Sequence, residues 1–401
     1  MPFKETCRME QRVRMLAEYD TGNWSVTALC ARYGISRDTF YAWRRRRASG
    51  EPEWFVERSH APAGCPHRTL PDLVDRIIDA RKRFKYLGPR KLRAMLRREQ
   101  PETTWPAAST IGDILKRAKL IDPVRRRRPS LDQHGPFTTA EAANDEWCTD
   151  FKGWFRTRDQ RRIDPLTISD GHTRFLIEVR IVPPTIEGVR PVFEAAFRAY
   201  GLPRVMRCDN GPPFGSPGAG GLTQLSVWWL KLGIEPLFIH PGSPQENGRH
   251  ERMHRTLKAE TSRPAAADAA EQQRRFDAFR EHYNKVRPHE ALDQCPPADR
   301  YTASLRPLPA RVEEPWYDAD HAVRRVMTSG DIKWRGGRVF VSEVLAGELV
   351  GLEELESGDH VIRFRGRDIG LLDRADGVFH RFGPPRQKRR ARATPAGQGD
   401  G

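Results

Sequence analysis

The stretch Trp147-Cys148-Thr149-Asp150-Phe151-Lys152-Gly153 is an apolar-rich run holding a single acid, and it reads as a β-strand that delivers Asp150. Two more acids arrive in comparable settings. Pro203-Arg204-Val205-Met206-Arg207-Cys208 is a strand that ends at Asp209, where Asn210-Gly211 signals a turn. Ser243-Pro244-Gln245-Glu246-Asn247-Gly248-Arg249-His250-Glu251-Arg252 opens a helix that carries Glu251. Hard cations such as Mg²⁺ bind a few carboxylates and keep positions open for water and phosphate. Acids on three separate elements can hold two such ions about 4 Å apart around an in-line displacement at phosphorus. Taken singly, Asp150 also fits a solvated strand residue, Asp209 an Asp-Asn-Gly turn, and Glu251 a helix ion pair. Their joint occurrence predicts a metal-dependent phosphoryl-transfer site on two Mg²⁺ or Mn²⁺ ions.

With 401 residues the chain has length for two to four domains, and 38% hydrophobic residues suffice for real cores. No run approaches the roughly 18–20 apolar residues that span a bilayer. The opening MPFKETCRMEQRVRM has no signal-peptide apolar stretch. The expected location is therefore the cytoplasm, with no membrane partner. Cys7, Cys30, Cys65, Cys148, Cys208 and Cys295 show no CxxC pairing, which argues against a disulfide framework or zinc ribbon. His60, Cys65 and His67 lack a fourth ligand and belong to a linker. A net charge of +16 calls for a polyanionic partner. Arg44–Arg47, Arg125–Arg128 and the tail Arg386-Gln387-Lys388-Arg389-Arg390 each flank a different segment, as suits a chain that follows a phosphate backbone.

The first 50 residues read as helices. In Ser25-Val26-Thr27-Ala28-Leu29-Cys30-Ala31-Arg32-Tyr33-Gly34-Ile35-Ser36, positions 26, 29, 30 and 33 make one apolar face. Gly34 suits a left-handed turn, Ile35 an inter-helix plug, and Ser36 the cap of the next helix. That next helix buries Phe40 and Trp43 and offers Arg37, Asp38, Thr39, Tyr41, Arg44 and Arg45 outward. This is the helix-turn-helix pattern, whose second helix reads the major groove. A linker over 48–70 precedes a second helical unit: Leu73 to Phe84, Gly88 to Leu96, and Ser109 to Lys116 with Ser109 as cap. Residues 122–137 form the next linker.

From about 145 to 300, strands are expected at Trp147–Phe155, Asp164–Asp170, Thr173–Ile181, Arg204–Cys208 and Glu235–Ile239. Helices are expected at Pro191–Tyr200, Leu222–Leu232, Pro244–Glu260 and Glu271–Tyr283, giving a mixed α/β sheet. Beyond 320, Ile332–Val341 reads as a hairpin with a Gly336-Gly337 turn. Leu349–Leu355, His360–Phe364 and Arg367–Leu372 complete a small β-barrel or sandwich, and the last 20 or so residues read as a disordered basic tail.

Trp147–Lys152, Asp170–Arg174, Arg207–Gly211, Ser243–Lys258 and Tyr283–Leu292 together resemble the integrase-core (DDE, rve-type) transposases of bacterial insertion sequences, relatives of retroviral integrases. The likeness covers roughly 140–305. It implies a ribonuclease H-like core, an Asp-Asp-Glu metal site of Asp150, Asp209 and Glu251, and cleavage and joining at the ends of a mobile element. On this basis the chain divides into a helix-turn-helix domain (1–50), a second helical DNA-binding domain (70–122), an integrase core (138–305), a small β domain (320–382) and a basic tail (383–401). Its partners would be double-stranded DNA, as terminal inverted repeats and target, and further copies of the chain, at least a dimer. One departure is that Glu251 follows Asp209 by 42 residues, longer than in many family members. The glycine-rich 215–221 stretch is expected to bulge and absorb the excess.

Helix physics chooses between Glu246 and Glu251. Ser243, Pro244 and Glu246 make a capping box, which gives Glu246 a structural task. Glu251 lies further in, with Asn247, Arg255 and Lys258 near its face as candidate DNA contacts. His250 and His254 are candidates for touching DNA and not for catalysis. Asp170, before Gly171-His172, reads as a turn aspartate, and Asp145 and Asp164 as segment-edge residues. Two rival functions share this architecture: a ribonuclease H-like nuclease acting on structured nucleic acid, and a catalytically inactive DNA-binding regulator.

Overall fold

A computed structural model describes residues 7–58, 68–121, 140–239 and 248–383, and the chain divides into units 1–69 and 70–401. The first unit holds helices α1 (Arg8–Asp20), α2 (Val26–Tyr33) and α3 (Arg37–Ala48). They close on Met15, Leu16, Leu29, Cys30 and Phe40, with Val26, Tyr33, Ile35 and Trp43 packed at the margin. The local chemistry that orders them is as expected. Ser25 and Ser36 each cap a helix by accepting a backbone N–H, from Ala28 and Thr39. Gly34 turns the chain between them at φ +64°, where a side chain would be strained.

The second unit begins with α4 (Pro71–Arg83), α5 (Pro89–Glu99) and α6 (Ala108–Arg117), packed around Ile77, Leu92, Leu96, Ile111 and Leu115. Ser109 is not the cap of α6; that position is Ala107, with no side-chain bond. Buried Trp105, donating its indole N–H to the Gln100 carbonyl, anchors the chain so that the helix starts before Ser109.

A five-stranded mixed sheet follows, built from β1 (Glu146–Phe151), β4 (Pro165–Asp170), β5 (Leu176–Ile181), β6 (Val205–Cys208) and β7 (Glu235–Phe238), in the order β5-β4-β1-β6-β7. β1, β4 and β5 are antiparallel neighbours, whereas β6 and β7 run parallel to β1. This is the mixed α/β sheet that the sequence led one to expect. One face packs Trp147, Leu166, Ile168 and Met206 against α7 (Ile186–Tyr200) and α8 (Gln224–Lys231). The other packs Leu176 and Val179 against α9 (Gly248–Thr261) and α10 (Ala269–Lys285).

Two expected elements differ. The strand expected to reach Phe155 ends at Phe151, because Gly153 turns the chain at φ +87°. A separate hairpin of β2 (Phe155–Arg156) and β3 (Arg162–Ile163) takes up the remainder. Helix α7 starts a turn before Pro191, since Thr185 accepts the Gly188 N–H as a cap and Val189 is buried, leaving the proline inside.

The C-terminal part has β8 (His321–Arg325), β9 (Asp331–Trp334), β10 (Gly337–Phe340), β11 (Leu349–Glu354), β12 (His360–Phe364), β13 (Arg367–Leu372) and β14 (Phe379–Arg381). Among the described residues it is not a closed barrel: β14-β13-β12-β11-β8 is an open antiparallel sheet, and β9 and β10 pair separately. The first hairpin turns on Arg335-Gly336 and not Gly336-Gly337. Trp334 pairs with Gly337, and both loop residues have positive φ (+43° and +84°), the signature of a two-residue type I′ turn. Arg365-Gly366 repeats the device between β12 and β13.

The sheet shares its core with the mixed-sheet layer, Val350, Ile362 and Ile369 meeting Ala219, Leu222, Val227 and Leu230. The 215–221 stretch is therefore a seat and not a free bulge. Gly220 sits at φ +63°, where a Cβ would lie 3.1 Å from Ile369. Its N–H donates to the Phe382 carbonyl, and Arg367 donates to the carbonyls of Gly220 and Pro236. No helix among the described residues is long and apolar enough to cross a membrane. The His60-Cys65-His67 group, the linker over 122–137, the capping box at 243–246, Asn247 and the tail beyond 383 lie outside the described residues.

Candidate active site

Strand alternation sorts β1 between two chemistries. Trp147 and Phe151 join the apolar layer beneath α7 and α8, and Asp150 takes the opposite face, directly across from Thr167 of β4. β6 lies parallel beside β1 and ends at Cys208, so Asp209 emerges where that strand stops. Glu251 stands exposed in the first turn described for α9, whose Met253 and Leu257 are buried on the same side of the sheet.

The electrostatics tie the three acids together. The Asp150 carboxyl is pushed up to about 7, chiefly by burial, then by the negative charge of Asp209 and more weakly by that of Glu251; a backbone N–H opposes this. Burial also raises the Asp209 carboxyl, against the pull of the Gly211 N–H at 3.3 Å. Among the described residues no lysine or arginine forms an ion pair with either aspartate. Two recessed carboxylates with no ion-paired cation among the described residues are a donor set suited to a hard divalent ion, which would supply the missing charge.

The three acids do not form a tight trio. Among the described residues, the groups of three whose ligand atoms all fall within 4.8 Å are Asp318, Asp320 and His321, and Asp373, Asp376 and His380, mostly exposed residues of the C-terminal part. A site for two ions roughly 4 Å apart has no need of one point of convergence.

His250 and His254, expected at the DNA surface, instead turn into the protein. His250 is buried, with Nδ1 2.8 Å from Ser169 Oγ and Nε2 2.7 Å from Thr167 Oγ1. His254 Nε2 lies 2.7 Å from the same hydroxyl. Burial pushes the rings down to about 3 and about 2, so both are neutral. Thr167 donates its only hydroxyl proton to the Asp150 carbonyl at 3.0 Å, so each histidine donates from Nε2 and Ser169 donates to Nδ1. Sequence reasoning missed Thr167 and Ser169; their β4 register beside β1 was the signal.

Around the site, Arg255 and Lys258 are exposed on α9. Lys152, also missed, is pushed down to about 8 by burial and by the charges of Lys258 and Arg263, so both of those cations lie within electrostatic reach of it. Asp170 is structural: its carboxylate accepts the N–H groups of Asn144 and Thr173 and the Thr173 hydroxyl. Asp145 accepts from Glu141 and Ala142, and Asp164 pairs with Arg162. On α3, Thr39, Tyr41 and Arg45 are exposed, Arg37 donates to Thr27 Oγ1, and the Arg44 guanidinium lies 5.0 Å from the Tyr19 ring centre.

Comparison with known proteins bears on this arrangement. Residues 232–297 match the family described as Integrase core domain, and residues 11–51 match Helix-turn-helix domain. The insertion element IS476 uncharacterized 39.2 kDa protein of Xanthomonas euvesicatoria is 29% identical over 309 residues, 75% of this chain and 78% of that protein. The insertion element IS407 uncharacterized 31.7 kDa protein of Burkholderia multivorans is 26% identical over 231 residues, 57% of this chain and 79% of that protein. Among solved structures, a chain of the simian T-cell lymphotropic virus intasome with a PP2A regulatory subunit aligns over 77% of this chain and all of that one, at 14% identity and TM-score 0.37. The HTLV-2 integrase catalytic core with magnesium covers 40% of this chain and 98% of that one, at 13% identity and TM-score 0.33.

Proposed function

We propose that this chain, an integrase-core protein with an N-terminal helix-turn-helix domain and relatives in bacterial insertion elements, is a DNA transposase. It would bind the terminal inverted repeats of its element and catalyse strand cleavage and strand transfer. The observation that carries the reading is the pair Asp150 and Asp209, recessed, each with a raised carboxyl and no ion-pair partner among the described residues, with Glu251 adding to the field at Asp150.

In this mechanism Asp150, Asp209 and Glu251 would hold two Mg²⁺ or Mn²⁺ ions, which when bound activate the attacking oxygen and neutralise the leaving one. The chain's own contribution is positioning and charge. Asp150 is fixed by its strand and by the Thr167 hydroxyl on its carbonyl. Lys152, Arg255, Lys258 and Arg263 offer cations to the phosphate backbone, as would Asn247 its amide. The helix α3 would present Arg37, Thr39, Tyr41, Arg44 and Arg45 to the major groove, making 1–50 the reader of the element end. The helical segment 70–122 would add DNA contacts, 138–305 the chemistry, 320–382 a brace for the core, and the basic tail of 383–401 salt-dependent affinity. Joining two element ends requires at least two copies of the chain on DNA, at the bacterial nucleoid.

The test is an oligonucleotide carrying the inverted repeat that flanks the coding region, incubated with Mg²⁺. The proposal expects nicking at the repeat end and joining to a second duplex. Binding without cutting would favour a regulator, and cutting of branched or hybrid substrates with no preference for the repeat a nuclease.

A further inference from the structure

We propose that the Thr167 hydroxyl, acting through His250 and His254, is a positioning device that sets Glu251 against Asp150 and so tunes metal affinity. The inference rests on the active-site reading above. Thr167 stands directly opposite Asp150 in the β1–β4 ladder and donates to its carbonyl at 3.0 Å. The same oxygen receives His250 and His254, both at 2.7 Å, from α9. A hydroxyl has one proton and two acceptor sites, and here all three are used. Ser169, two residues along β4, holds the far nitrogen of His250 at 2.8 Å. His250 immediately precedes Glu251, and His254 follows it by three residues, so these bonds bracket the acid on its helix.

Apolar contact alone would not give this control. Met253 and Leu257 bury α9 against the sheet, but burial is non-directional and tolerates sliding or rotation of the helix. Hydrogen bonds weaken steeply with angle and so fix both. Acids that share ions must be held to within about half an ångström, and groups that orient metal ligands commonly govern affinity about 10–100-fold. A packing role alone would be served as well by aliphatic side chains, without the risk of unpaired buried polar atoms.

The test compares full-length wild type, Thr167→Val, which keeps the volume and loses the hydroxyl, and Thr167→Ser, which restores it. Mn²⁺ affinity is measured by calorimetry without DNA, and end cleavage across a Mg²⁺ series. Thr167→Val should bind Mn²⁺ about tenfold more weakly and need correspondingly more Mg²⁺ for half-maximal cleavage. Thr167→Ser should recover the affinity. A Thr167→Val protein with lowered melting temperature but unchanged Mn²⁺ affinity overturns the proposal. If that variant fails to fold, Ser169→Ala takes its place under the same readouts, and unchanged affinity there overturns it equally. Failure of the underlying reading is separable: wild-type Mn²⁺ binding that is indifferent to Glu251→Gln removes the acid itself from the site.

Discussion

Asp150 titrates near 3.9 in an unfolded chain and is pushed up to about 7 when the metal-free protein folds. The folded state thus holds the proton more tightly. Its contribution to stability is full below about pH 4 and is lost as pH rises through about 7. Asp150→Asn should therefore melt at a higher temperature than wild type at pH 8 in a chelator, with the gap closing towards pH 4. Thermal scans check this, and an unchanged or lower melting point at pH 8 contradicts it. Asp150→Asn, Asp209→Asn and Glu251→Gln should each reduce strand transfer by about a hundred- to a thousandfold, on the scale of lost transition-state electrostatics. Gel-shift affinity for the element end should hold. The sequence singles these acids out because each sits in a strand or helix context of its own. The histidines were not legible, since a histidine at helical spacing carries no mark of the face it takes. Thr167 became visible only through its register with Asp150.

Among the elements, α3 was the most legible, because serine caps and a left-handed glycine are local chemistry that needs no tertiary context. Arg37→Ala and Arg44→Ala should each weaken end binding and lower the salt slope by about one, read from fluorescence anisotropy across ionic strength. Unaltered slopes would exclude α3 as the reader. The 215–221 stretch was the least legible. Glycines there suggested slack, yet Gly220 allows close approach to Ile369 of β13. Ile369→Ala, fully buried against that seat, should cost about 2–4 kcal/mol in chemical denaturation. A cost under about 1 kcal/mol would mean the seat carries little of the packing.

In the second unit of the molecule, the mixed-sheet layer and the C-terminal sheet bury one another. Their shared core joins Leu222, Val227 and Leu230 to Val350, Ile362 and Ile369. The strands were foreseeable from alternation and turn residues, but which surface they covered was not, because the contact lies between residues more than a hundred positions apart. Removing residues after 319 should expose that apolar face and give a protein that melts lower and self-associates, in scanning calorimetry with light scattering. A truncated chain that stays monomeric with an unchanged transition would contradict a bracing role.

The most direct measurement is anomalous diffraction from crystals of the full chain with an element-end duplex and Mn²⁺. Two peaks are expected within coordination distance of Asp150, Asp209 and Glu251. Peaks confined to Asp318–His321 or Asp373–His380, with those three acids bare, would contradict that expectation.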